Sequence, residues 1–144
     1  MKFIRKFLRF VPLVLTIQAC DTINPKVVVK NDDTDIQKSG PYLETFYQLS
    51  ADHNFDSLYS YFNVHDADTM LGINRLRVEQ LLGKYKGLST SEIFSQNTKD
   101  KSGTTIYYRV DLVCEFDSGS TSERFTFETV NGIPYFKSLH IELR

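Results

Sequence analysis

Three histidines, two cysteines and 18 carboxylates are the groups through which this chain could move protons, hold a metal or attack a substrate. A general base must reach its substrate with a tuned pKa. His140 is the best candidate for one, but it sits opposite the Leu139/Ile141 face of a strand, beside Phe136 and Glu142, and reads as a surface group. Asp111, Glu115 and Glu128 fall on strand faces that read as exposed, and the facing side of the central strand offers only Tyr108 and Cys114 as ionisable groups. Cys114 alternates with apolar residues, which suits a small buried hydrophobe better than a reactive thiol. His65-Asp66 with Asp68 could suggest a metal, yet zinc needs three or four converging ligands. In an interhelical loop these residues serve more simply as turn formers and a helix cap. The chain has no glycine-rich phosphate loop, nucleophile elbow or paired-cysteine motif. The expectation is no metal, no cofactor and no catalytic residue.

The amino terminus carries a different kind of chemistry. Lys2, Arg5, Lys6 and Arg9 precede an apolar run, Phe10 to Ile17, interrupted by Pro12 and Thr16. The run is too short for a bilayer core of about 30 Å, which needs about 20 apolar residues. A basic start, a short apolar middle and a small residue before a cut mark a secretory signal. Ile17-Gln18-Ala19-Cys20 resembles the lipobox of bacterial lipoproteins, with Gln18 a departure from the usual small or mildly apolar residue. The resemblance implies removal of residues 1–19, lipid on Cys20, and a protein anchored to the bacterial cell envelope without spanning a membrane. An acyl chain contributes about 0.8 kcal/mol per buried methylene, so several chains hold firmly where one holds marginally.

The whole chain has 17 basic and 18 acidic residues, and four of the basic ones lie in the signal. The remainder is acidic, with no basic cluster to bind nucleic acid or anionic lipid. With Cys20 lipidated, Cys114 stands alone and no intrachain disulfide can form.

Residues 20–40 read as the lipidated cysteine and a flexible tether reaching about 25 Å, although Val27-Val28-Val29 could pair as an edge strand. Residues 41–144 read as one domain. Pro41 suits the first position of a helix, with Tyr42, Phe46 and Leu49 on its apolar face. Asn54 is placed to cap a second helix carrying Phe55, Leu58, Tyr59 and Phe62. A third helix, about 69–85 with Asp68 as N-cap, has Met70, Ile73, Leu76 or Arg77, Leu81 and Tyr85 as its apolar positions, Val78 and Leu82 flanking them, and Gly83 and Gly87 marking its end. From Ser89 the period becomes two. A weak strand, 90–97, leads to the clearest one, 104–116, with Ile106, Tyr108, Val110, Leu112, Cys114 and Phe116 on one face. Strand 122–130 puts Phe125 and Phe127 together. Asn131-Gly132 is a strong hairpin signal before the last strand, 133–143.

The fold class expected is α+β: three amino-terminal helices packed on a curved four-stranded antiparallel sheet. In this order the chain resembles the cystatin-like, nuclear transport factor-like cone, and the small uncharacterised lipoproteins of that superfamily. The residues carrying the likeness are Tyr42 to Phe62 with Asn54-Phe55-Asp56 at the kink, Leu82-Gly83, and the strands running to Leu143. The fold hosts many functions and licenses no activity by itself. Two roles stay foremost: a cone-shaped pocket for a small apolar ligand or lipid, lined by Tyr108, Cys114 and Phe127, or a surface for an envelope protein partner. The resemblance also leaves an isomerase- or hydratase-like enzyme of the same fold as the lesser alternative. A cavity opening to solvent favours the first, and a closed, dry core favours the second.

Overall fold

A computed structural model describes residues 26–64 and 70–144. The signal segment, Cys20, and the loop residues His65, Asp66 and Asp68 lie outside the described residues.

Order begins well before residue 41. Strand β1 (Val27–Lys30) comes first, and helix α1 (Asp33–Ala51) follows directly. The helix starts where it does because the Asp32 side chain accepts from the N–H groups of Thr34 and Asp35 at 2.9 and 3.3 Å, and Asp33 and Asp35 place negative charge in its first turn. Pro41 therefore sits inside α1 rather than at its start. The missing N–H is tolerated because Gln37, one turn back, is exposed and its carbonyl can turn to water. Helix α2 (Phe55–Tyr61) is capped by Asn54, whose side chain accepts from Ser57 N–H at 3.3 Å, as expected. Helix α3 (Met70–Leu82) ends at Gly83, whose φ of +83° closes it. An added Cβ there would come within 2.7 Å of Asp117 Cβ. Tyr85 belongs to the next strand, not to the helix.

Four longer strands follow: β2 (Tyr85–Asp100), β3 (Gly103–Phe116), β4 (Gly119–Val130) and β5 (Ile133–Leu143). With β1 they form a five-stranded antiparallel sheet in the order β1-β2-β3-β4-β5. The architecture is α+β, with three helices as expected but five strands rather than four, and one strand precedes the helices. The fifth is the Val27–Val29 segment, seated on β2 with Val27 opposite Lys99. The Asn131-Gly132 turn joins β4 to β5 with φ of +50° and +83°, the left-handed pair a two-residue hairpin needs.

One face of the sheet meets the helices. Ile106, Tyr108, Val110, Leu112, Cys114 and Phe116 are all buried, so the phase of β3 is as its alternation predicts. Phe46 from α1 packs against Phe62 of the α2 end, Phe125 of β4 and Phe136 of β5, with ring centroids 5.5, 4.2 and 6.4 Å away. Stacked and edge-on aromatic rings thus fill the space between helices and sheet.

The junction of β1 and α1 is tied down by polar contacts. Asn31 N–H donates to Ser95 O at 2.9 Å, and Asp35, 3 % exposed, accepts from Lys38 Nζ at 2.9 Å and Asn97 Nδ2 at 2.8 Å. Burial works to raise the Asp35 pKa, but these bonds outweigh it and the value lies below the ordinary carboxylate range. Asp35 therefore contributes stability that is present above the unfolded carboxylate pKa and is lost as pH falls through the depressed folded value. A chain trimmed to 41–144 loses β1, this carboxylate and the first half of α1. Urea melts should show it less stable than a 26–144 chain by at least about 2 kcal/mol, given roughly 1.5–3 kcal/mol for a charged hydrogen bond. Equal midpoints would mean that residues 26–40 are a passive tether after all.

Candidate functional site

Two polar arrangements lie at opposite ends of the buried face. The first surrounds Glu123. In β4 this residue is two positions before Phe125 and shares its inward face, and it is 3 % exposed. Its Oε1 accepts from Arg75 Nη1 at 2.6 Å and from Thr121 Oγ1 at 2.7 Å, and its Oε2 accepts from Tyr47 Oη at 2.7 Å. Arg75, 4 % exposed, also donates from Nε to Ser50 Oγ at 3.0 Å, and its guanidinium lies 5.0 Å from the Tyr47 ring centroid. Burial opposes the charge on Arg75, yet Glu123 beside it raises the pKa and keeps it protonated. The Tyr47 phenol is pushed well above its ordinary value, first by burial and then by Glu123.

The helix phase that makes this possible differs from the expected one. On α3 the buried positions are Leu71, Gly72, Arg75 and Val78, while Met70, Ile73, Leu76 and Leu81 face outward. A close contact sets that phase. Gly72 N–H donates to Tyr59 Oη at 3.0 Å, and a Cβ on Gly72 would come within 2.9 Å of that oxygen. The helix can approach α2 only through its glycine.

The second arrangement is a cleft of about 600 Å³ between the start of α1 and the β3–β4–β5 end, with walls that include Lys38, Tyr42, Tyr61, Ile106, Thr129 and Asn131. Tyr108 is its floor and is fully buried. Its ring stacks on Phe127 with centroids 4.7 Å apart. Among the described residues, Tyr108 Oη and Ser95 Oγ are the buried side-chain polar atoms without a hydrogen-bond partner. Such an orphan costs about 1–3 kcal/mol. Burial, with the charge of Asp35, raises the Tyr108 pKa, so the phenol keeps its proton and stays a donor. Tyr42 holds the rim by donating to Gly132 O at 2.9 Å.

The three side chains expected to share one pocket do not. Tyr108 floors the cleft and Phe127 backs it. Cys114 lies six residues further along β3, about 20 Å away at strand rise, beside the Glu123 group. Its thiol is pushed up to about 12 by burial and by Glu123. A thiol reagent should leave native protein unmodified at pH 8 and react within minutes once urea unfolds it. Rapid native labelling would show that the Glu123 end opens to solvent.

The other candidates are surface groups. His140 is 70 % exposed at its side chain and contacts Glu142 at 3.0 Å. Asp111 makes a two-pronged contact with Arg124 at 2.6 and 3.1 Å, and Glu128 pairs with Lys137 at 2.7 Å. Among the described residues no three His, Cys, Asp or Glu side chains converge as metal ligands. Sequence reasoning missed both Glu123 and Arg75. The period-two alternation Glu123, Phe125, Phe127 carried the signal for the first, and nothing local marked the second.

No protein-family model, curated protein or solved structure matches the chain.

Proposed function

We propose that the chain is a lipid-anchored protein of a bacterial envelope whose domain, of the cystatin-like, nuclear transport factor-like kind, binds a ligand or partner without transforming it. The observation that carries this reading is the state of Glu123. A carboxylate inside such a domain is the natural place for a general base, but this one accepts three hydrogen bonds from the protein and is 3 % exposed. It has no free edge to offer a substrate. Aromatic rings fill the rest of the interior, so recognition belongs to the surface. There the Tyr108 cleft supplies the features of a small-ligand site: a concave opening, a few directed polar groups, and, buried just beneath, a phenol proton still without an acceptor that a ligand would reach by displacing the rim.

Native mass spectrometry of residues 26–144 purified from a bacterial host tests the binding half. A retained small molecule is expected on the wild type and absent from Tyr108→Phe, with the fold unchanged. Retention that is indifferent to Tyr108→Phe would remove the cleft from the proposal. For the anchoring half, labelled fatty acid should enter the full chain at Cys20, and Cys20→Ser should abolish both labelling and signal removal. Continued labelling of that variant would defeat the lipoprotein reading.

A further inference from the structure

The outward face of α3 exposes large apolar side chains among its polar ones. Met70 is 48 % exposed and Leu81 66 %, and across a gap on the β5 edge Leu143 is 58 % exposed. Between them runs a groove of about 530 Å³, walled on its inner side by Leu71, Val78, Leu139 and Ile141. It shares no lining residue with the Tyr108 cleft. Exposed apolar surface gathered into one concavity marks a binding site more often than scattered surface hydrophobes do.

One charge decides what fits. Met70, Asn74, Arg77 and Leu81 recur along α3 at helical spacing and line the same wall. Arg77 is exposed and, among the described residues, makes no ion pair or hydrogen bond. Among the described residues, the acids adjacent in sequence to the groove's lining are engaged elsewhere, Glu79 with His53 and Glu142 with His140. Asn74 and Ser138 add hydrogen-bonding groups at the same groove. A groove with leucine, isoleucine and valine walls interspersed with polar groups, and with a guanidinium unpaired among the described residues, is complementary to a single acyl chain ending in a carboxylate, which an arginine fork grips through two N–H groups. A second copy of the chain is a poorer match, because a two-fold contact through this face brings two Arg77 side chains together without an anion.

We propose that the α3–β5 groove binds a free fatty acid, its chain along Leu81, Leu139 and Leu143 and its carboxylate on Arg77. The test uses the full chain with a twelve-carbon fatty acid bearing a photoreactive diazirine at its tail, and maps the cross-linked peptides by mass. Labels should fall within 70–82 and 133–143. Unlabelled acids of ten, twelve and fourteen carbons should compete with potency rising about two- to fourfold per methylene. The upper figure corresponds to full burial at about 0.8 kcal/mol, and the lower to a half-open groove. Dodecanoate should compete about fivefold better than dodecanol on the wild type, the worth of an exposed ion pair, and equally well on Arg77→Gln. Leu81→Glu should remove the labelling while leaving the melting temperature unchanged, because Leu81 is solvent-facing. Labels confined to residues 1–25, a flat chain-length series, or a head-group preference that survives Arg77→Gln would each overturn the assignment. So would anionic phospholipid vesicles that displace the probe better than the free acid does.

Discussion

Glu123→Ala should lower the unfolding free energy by about 3–5 kcal/mol, the range for removing one partner of a buried ion pair. The loss arises less from the attraction that disappears than from what remains. Arg75 would keep its charge at 4 % exposure with no anion beside it, its Nε still donating to Ser50. Tyr47 and Thr121 would lose the acceptor they share. Arg75→Ala should cost a similar amount by stranding the carboxylate. The triple change Arg75→Met, Glu123→Leu, Tyr47→Phe removes both charges and the phenol together, leaving only the hydroxyls of Ser50 and Thr121, and should recover most of the loss, since apolar replacements of buried pairs are often neutral or stabilising. Urea melts of the singles and the triple decide the point. A Glu123→Ala loss under about 1 kcal/mol would mean that water reaches the site, and the argument against a catalytic carboxylate would fall with it.

Leu112→Ala should cost about 2–5 kcal/mol, the usual range for truncating a buried leucine, because Leu112 is 2 % exposed among the core residues of β3. Asp111, one residue earlier, points to the opposite face. Its carboxylate pairs with Arg124, whose side chain is 56 % exposed. The hydrogen bond from Arg124 lowers its pKa against a smaller opposing effect of burial. Exposed pairs are worth about 0.2–1 kcal/mol, so Asp111→Ala should stay within about 1 kcal/mol. That small contribution exists above the unfolded carboxylate pKa and fades as pH drops through the depressed folded value. A slip of one residue in strand phase exchanges the two results, so the pair of melts reads the register of β3 directly.

Local chemistry made much of the fold legible without coordinates. The alternation from Ile106 to Phe116 specified which face of β3 is buried, because a strand turns every side chain by half a revolution and one wrong step would bury Arg109 and Asp111. Asn54 announced a cap and Asn131-Gly132 a hairpin, since both act through their own neighbouring backbone. Only the tertiary structure decided the rest. Helix α3 has apolar residues on two faces, and periodicity alone put Met70, Ile73 and Leu81 on the inward one with Val78 and Leu82 only flanking, whereas Leu71, Arg75 and Val78 are the buried set. A buried arginine becomes tolerable only with its anion. That anion sits on a strand 48 residues away, and Glu123 in turn is tolerable inside only because Arg75, Tyr47 and Thr121 converge on it. Likewise Val27 to Val29 have no partner until β2 presents an open edge, and the carboxylate of Asp35 gains its second partner only when β2 brings Asn97 against α1. Each of these depends on a group distant in sequence, and desolvation makes the two halves of such a pair unfavourable until both are in place.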